Sequence, residues 1–394
     1  MRRYLCVASA VVFCSVLLAL FSTLGPISAD GLAGVPGGAQ DSEVRERISA
    51  LGSANPVERA SAACYLGEMR ERAVAAIPYL VQMLGDDAII TTPVDCGERK
   101  SWRLRDGFVE ETSPGRVAAE ALASIGGPAV DPLINAARAG DYRVRVNAAH
   151  ALGIIHDDRT VEPLLAAIAD GEWRVRQEAA WGLGLKSDPR VVQPLISALL
   201  DREWQVRKNA AWALGLQGDA RAVAPLADAL KDANAQVRAE AAWALGLKGD
   251  HTALAQLAEA LRDADAHVRD KAAWALGLKG DHGSIEPLMA ALKDESPNVR
   301  SQAAWALGLK GDRRAVEALM AALKDEKAAV RSQAAWALGL KGDHRAIASL
   351  SAALKDEDKG VRQKASWALG MILMRDPGSI DGEGEKEVEG DLSN

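Results

Sequence analysis

The sequence has 394 residues and a formal net charge of −7, with 48% hydrophobic and 26% charged residues. This composition is typical of a folded chain, and the length suits several globular domains or one extended array. From Arg375 onward the chain holds seven acidic residues against two basic ones, so the rest is close to neutral. Neither part has the basic surface that nucleic-acid binding requires.

The first residues predict export. Two arginines precede an apolar run from Tyr4 to Leu24, and small residues follow before Asp30. This is the pattern of a signal peptide, and we expect residues 1–29 to be removed. The apolar run is also long enough to span a bilayer, so an uncleaved anchor at residues 4–24 is the alternative. In both cases we expect a periplasmic or extracellular protein.

We expect a linker and a capping helix in residues 30–55. Beyond the leader only Cys64 and Cys96 remain as cysteines. In an oxidising compartment these two residues can form a disulfide. Two separate thiols, with Cys64 buried on a helix, are an equally good interpretation.

The dominant feature of the sequence is an internal repeat. A Val-Arg pair recurs in step from Val144-Arg145 to Val361-Arg362, and weaker units begin at Val57 and Arg116. Such a period predicts stacked units that each contact only their neighbours. Tryptophan recurs at the same step of 31 residues, at Trp181, Trp212, Trp243, Trp274, Trp305, Trp336 and Trp367.

Each unit is predicted to form two helices. Glycine ends the first helix, and Asp250, Asp281, Asp312 and Asp343 stand where the second needs an N-cap. We therefore predict a first repeat at 56–86, an irregular insertion at 87–115 that forms a long loop or small hairpin, and an array at 116–374 with a C-terminal cap. The glycine-rich acidic segment 375–394 is predicted to be a disordered tail.

The repeated pattern V-R-x-x-A-A-x-A-L-G-x-x-G-D resembles that of the HEAT-repeat family, in its short phycobilisome-lyase-like form, over roughly residues 56–374. The resemblance implies an all-α fold, a right-handed or curved α-solenoid of stacked helix pairs. It also implies that the x positions of each first helix line the concave side. It concerns the repeat and gives no pigment site.

The tryptophans are predicted to lie on this concave side. At about 100° per residue, Trp243 falls at about 240° from Val237, away from the seam formed by Ala241 and Leu245. Seven indoles in register would form an exposed apolar stripe, which typically marks a binding surface. The alternative is that each indole fills a groove against the neighbouring repeat. The polar residues interleaved with the stripe are expected to tune selectivity: Gln177, Glu178, Lys208, Glu240, Gln302 and Gln333.

By the same helical geometry, Lys248 falls on the buried side of the helix, together with Ala241 and Leu245. Either its ammonium reaches the helix end, or the helix tightens so that Leu247 turns inward.

Two further sets of residues recur in the turns. The arginine of each Val-Arg pair is expected to bind the acidic turn of an adjacent unit. The aspartates that recur there in step are Asp232, Asp263, Asp294, Asp325 and Asp356. The turn histidines His251, His282 and His344 are interpreted as solvated, because one repeat separates them and a single metal ion cannot bridge that distance.

We therefore predict an exported, non-enzymatic scaffold that binds a protein or peptide through its tryptophans, without cofactor or metal. No nucleic-acid partner is expected, and membrane association only through the possible anchor. The alternatives are a structural spacer without a dedicated ligand, or an accessory or lyase-type protein.

Overall fold

The computed structural model describes residues 37–96, 104–105, 108–109, 111–248, 252–279, 281–310 and 312–375. The predicted signal peptide, the possible anchor at 4–24 and residues 376–394 lie outside these ranges. No helix within them is long and apolar enough to cross a membrane. The chain divides into two units between Glu46 and Arg47. Helix α1 (Gly37–Ala50) crosses this boundary, and its residues up to Glu46 are all that is described of the first unit.

The second unit is an all-α solenoid of helix pairs, as the period predicts. The first helices of the pairs are α2 (Pro56–Met69), α4 (Pro114–Ile125), α6 (Tyr142–Ile154), α8 (Trp173–Gly184), α10 (Trp204–Gln217), α12 (Ala235–Lys248), α14 (Ala266–Lys279), α16 (Pro297–Leu309), α18 (Ala328–Lys341) and α20 (Lys359–Arg375). The second helices are α3 (Ile77–Met83), α5 (Val130–Ala139), α7 (Val161–Ala167), α9 (Val192–Ala198), α11 (Val223–Ala229), α13 (Leu254–Ala260), α15 (Ile285–Ala291), α17 (Val316–Ala322) and α19 (Ile347–Ala353).

The helix ends follow from local sequence. Gly218 and Gly342 have φ values of 68° and 64°, so two first helices end at left-handed glycines, where no Cβ opposes that conformation. Asp281, Asp312 and Asp343 then accept a hydrogen bond from the backbone N–H two residues later and cap a short 3-10 turn before the second helix. The predicted N-caps are confirmed at these three positions, and Asp250 lies outside the described residues.

The first helices form a closely spaced layer because glycine meets alanine between them. A Cβ added at Gly215 would lie 2.9 Å from the Cα of Ala244 in the next first helix. Each second helix packs mainly against the first helix that follows it, and second helices make few contacts with one another. Alanine, leucine and valine side chains fill the seam, with Ala241, Ala242 and Leu245 almost completely buried.

The insertion between α3 and α4 contains a small hairpin. Strand β1 (Leu104–Arg105) pairs antiparallel with β2 (Phe108–Val109). A disulfide joins Cys64 on α2 to Cys96 in the insertion, with their Cα atoms 5.4 Å apart. Of the two interpretations of these cysteines, the disulfide is the observed one.

Candidate functional site

The indoles of the repeat are anchored along one edge. Atom Cζ3 of Trp274 lies against Gly246 of the preceding first helix, so close that an added Cβ would come within 2.6 Å of it. The corresponding distance is also 2.6 Å for Trp305 at Gly277 and 2.9 Å for Trp212 at Gly184. Each benzo edge therefore fills a groove that exists because glycine has no side chain.

The opposite edge of each indole carries the N–H group. Six of the seven rings are half-buried, and Trp367 is 39% exposed. Within the described part of the chain no indole nitrogen of the six donates a hydrogen bond, and none is buried without a partner. Each ring thus fills a groove against the neighbouring repeat, while the interpretation of the tryptophans as a binding surface stays a prediction. We call these seven side chains the tryptophan column.

The same column position holds other residues in the first three repeats. Aligning the Ala-Ala pair that precedes each tryptophan places Cys64, Glu120 and His150 there. His150 stacks on Trp181, with ring centroids 4.8 Å apart and planes inclined by 13°. The column therefore ends, on its N-terminal side, in a histidine.

His150 belongs to a charged cluster that the sequence analysis missed. Its Nδ1 lies 2.9 Å from Oε2 of Glu178, and its Nε2 lies 3.9 Å from Oε1 of Glu120. Arg116 completes the cluster by donating from Nη2 to Glu178 Oε1 at 3.1 Å. Aligning the tryptophan position with the first three repeats would have identified Glu120 and His150.

Glu178 is therefore held by internal partners, and the expectation that it tunes selectivity stays a prediction. Burial alone would raise its pKa, but the hydrogen bond with His150 and the charge of Arg116 outweigh burial and hold the pKa below its ordinary value. The carboxylate is committed to these two partners and is little exposed.

Other polar residues lie beside the column and, within the described residues, form no hydrogen-bonded cluster like that of Glu178. Burial raises the pKa of Glu240 and of Asp270 despite the attraction of nearby lysines. Gln302 and Gln333 are half-buried, and their side chains make no hydrogen bond within the described residues. Half-buried polar groups without internal partners are suited to an external ligand.

A ladder of arginine–aspartate pairs connects the turns, as predicted. Arg238 donates from Nε and Nη2 to both carboxylate oxygens of Asp263, at 2.7 and 2.8 Å. Its Nη1 donates to the backbone oxygen of Asp232, which in turn is the carboxylate partner of Arg207. The same bidentate pairing occurs at seven arginines: Arg145, Arg176, Arg207, Arg238, Arg269, Arg300 and Arg331.

The lysine at the end of the first helix caps the preceding repeat. Lys186 donates from Nζ to the backbone oxygens of Leu152 and Ile155, at 2.8 and 2.6 Å. Burial lowers the pKa of Lys186 to about 8. The adjacent Leu185 remains 36% exposed, so the lysine and not the leucine turns inward. The side chain of Lys248 itself lies outside the described residues.

The turn histidines are separate from these features. His282 is exposed, and its Nδ1 lies 3.3 Å from Asp312 Oδ2. His251 lies outside the described residues. No group of three or more histidine, cysteine, aspartate or glutamate residues with metal-binding geometry occurs in the described ranges.

Helix pairs stacked at a constant step, with aligned side chains on the first helices, define the class of α-solenoid repeat proteins. Models of HEAT repeats match residues 115–172, 161–235, 223–296 and 285–370. Because these matches cover more than half of the chain, it belongs to the HEAT-repeat family. No curated protein matches the chain by sequence.

Solved structures share this fold. The Escherichia coli protein YibA is similar with a TM-score of 0.51 and 20% identity, over 64% of this chain and 94% of YibA. Kap95p, solved with RanGDP, is similar with a TM-score of 0.59 and 15% identity, over 88% of this chain and 54% of its own length. The CpcE–CpcF complex of the Nostoc phycocyanin lyase is 25% identical, over 55% of this chain and 88% of that one, with a TM-score of 0.38. The first two likenesses establish the fold.

Proposed function

We propose that this protein is an exported, non-enzymatic scaffold that binds a protein or peptide along the tryptophan column. The ligand contacts the N–H edges of the indoles from Trp181 to Trp367, and Glu240, Gln302 and Gln333 contribute to selectivity. The observation that carries this proposal is the repeated indole, which is fixed at its benzo edge and incompletely buried at every step.

Rigid anchoring favours binding. An indole whose benzo edge is held between two helices loses little conformational entropy when a ligand arrives. Tryptophan also combines a large apolar surface with a donor, which is the reason for its enrichment at interfaces. The column therefore offers preorganised contacts at a constant step.

The spacing of the helices supports a concave position for the column. First helices approach one another through glycine and alanine, whereas second helices make few mutual contacts. A stack that is tighter on one side curves towards that side, so the first helices would line the inner surface.

Export is supported by the leader and by the disulfide. Residues 1–29 have the pattern of a signal peptide, and disulfides such as Cys64–Cys96 persist mainly in oxidising compartments.

The groove contact favours a second candidate, a spacer in which the indoles only hold the repeats together. The two candidates predict different effects of substituting Gln302 and Gln333, because within the described residues these amides have no hydrogen-bond partners. A photo-cross-linking residue placed at Ser301 in the exported protein would identify the ligand. Its affinity would then be measured for purified variants.

The variant Gln302→Ala/Gln333→Ala should bind the purified ligand about tenfold more weakly at an unchanged melting temperature. Glu259→Ala, at an exposed position on α13, serves as the control and should bind normally. Absence of a specific cross-link, or equal affinity of all three proteins, would favour the spacer.

A further inference from the structure

Helix α20 presents a face that is covered in the preceding first helices. A Cβ added at Gly339 would lie 2.8 Å from atoms of both Trp367 and Ala368 of the next helix. A Cβ added at the equivalent Gly370 would meet no atom within 4 Å. Met374, one turn further on, is 81% exposed. We call the surface formed by Arg362, Gly370 and Met374 the end face.

Among the described residues, Arg362 makes only the backbone contacts that its equivalents make. Its Nη1 donates to the backbone oxygens of Asp356 and Glu357, at 2.7 and 2.8 Å. In Arg331, by contrast, Nε and Nη2 also hold the carboxylate of Asp356, at 2.7 and 2.8 Å. The Nε and Nη2 groups of Arg362 donate to no group in the described part of the chain. The arginine is thus oriented by its backbone contacts to receive a carboxylate.

The charges of the neighbouring segments are complementary. Helix α20 contains Lys359, Arg362, Lys364 and Arg375 and no acidic residue. The segment that follows it, 376–394, contains seven acidic residues and the single base Lys386. Opposite charges joined by a short connection attract each other at high effective concentration.

The segment is long enough to span the distance to Arg362. Each bidentate arginine binds an aspartate 25 residues later in the chain, as Arg331 binds Asp356. Glu387 stands at this separation from Arg362. The helix from Arg362 to Arg375 rises roughly 20 Å, whereas the residues from Arg375 to Glu387 can extend roughly 40 Å.

A second copy of the chain fits the end face less well. The first repeat carries Cys64 at the position of the tryptophan column, and its sulfur is held in the disulfide with Cys96. A copy stacked end to end would therefore lack the indole that fills the glycine groove in other repeats.

We propose that the acidic segment 381–391 docks on the end face, with a glutamate carboxylate bound by Nε and Nη2 of Arg362. The segment would serve α20 as a following repeat serves the other first helices.

Hydrogen exchange of the α20 amides in the full chain tests this proposal. Neutralising the segment by Glu383→Gln/Glu385→Gln/Glu387→Gln/Glu389→Gln should speed their exchange about fivefold, and so should 1 M salt in the unaltered chain. The control Lys386→Gln lies in the same segment and raises its negative charge, so exchange should stay slow. Arg362→Gln should also speed exchange, and adding the four glutamines to it should produce no further change.

Three results would overturn the proposal. The first is exchange that is unaffected by the four glutamines, since these substitutions alter no residue of the described fold. The second is additivity of those substitutions with Arg362→Gln. The third is protection that depends on protein concentration, which would mean that a second copy covers the end face.

Discussion

Trp274 and Gly246 fit together as ring and groove across two successive repeats. A Cβ at Gly246 would approach Cζ3 of Trp274 to 2.6 Å and the Cα of Ala275 to 2.9 Å. These positions are therefore coupled, because the indole needs the glycine and the close helix approach needs it as well. Each glycine from Gly153 to Gly339 that faces a tryptophan therefore admits both the ring and the close approach of the helices.

Gly246→Ala should destabilise the array by about 1–3 kcal/mol, because the added methyl forces the two helices apart. Gly370→Ala is the matched control, since it stands in the same helical position and a Cβ added there meets no atom of the described residues within 4 Å. Alanine there should leave stability unchanged or raise it by up to about 1 kcal/mol through helix propensity. Urea unfolding monitored by circular dichroism measures both, and equal effects would disprove the groove account.

The arginine–aspartate ladder should make stability depend on acid. Burial opposes ionisation of Asp263, but hydrogen bonds from Arg238 and from the backbone, with the attraction of the arginines, lower its pKa overall. A lowered pKa stabilises the folded state above the unfolded pKa, and this stabilisation is lost as pH falls below about 4.

Asp263→Asn should therefore cost about 1–3 kcal/mol at pH 7, and the difference from the unaltered chain should shrink at pH 3. Unfolding curves at both pH values provide the measurement. An equal difference in unfolding free energy at pH 7 and pH 3 would show that the charge of Asp263 does not contribute to stability.

Glu240 should behave in the opposite way. Burial raises its pKa, so its contribution to stability is present at low pH and is lost as pH rises through the folded pKa. Glu240→Gln should raise stability by about 0.5 kcal/mol at pH 7 and by less at pH 4. Melting temperatures at the two pH values test this. A stability loss at pH 7 would contradict the assigned cost of burying this carboxylate.

The disulfide should stabilise the first repeat. It closes a loop with a sequence separation of 32 residues, for which constraint of the unfolded chain gives about 3–4 kcal/mol. Cys64→Ser/Cys96→Ser should expose the amides of α2 to exchange while those of α14, several repeats away, stay protected. Unchanged protection of α2 would mean that the helix is held by packing alone.

The helices and the ladder could be predicted from the sequence because both depend on spacing. Glycine and aspartate mark the helix ends. The separation between Arg238 and Asp263 is the same in each equivalent pair, so the repeat places every such arginine beside its aspartate. The orientation of Trp243 could not be predicted in the same way. A helical wheel treats α12 as isolated, whereas the groove that receives the indole belongs to Gly215 on the preceding helix.

The charged cluster around His150 was missed for a different reason. The Val-Arg pair does not align the first three repeats, because the first has Glu58-Arg59 at that position and the second has Pro114-Gly115. Aligned on the alanine pair, Glu120 and His150 become equivalents of Trp181. Their distances to Glu178 depend on how adjacent helices pack, and periodicity carries no information on that.

The most direct test of the tryptophan column is exchange of its indole N–H protons with water. With ¹⁵N-labelled tryptophan and assignment by single Trp→Phe substitutions, each Nε1–H from Trp181 to Trp367 can be followed separately. If the column binds a ligand through its indole N–H edges, these edges face solvent, and we predict rapid exchange at all seven positions. Indole protons that stay protected for hours would contradict it, since they would place the polar edges inside the stack and leave no surface for a ligand.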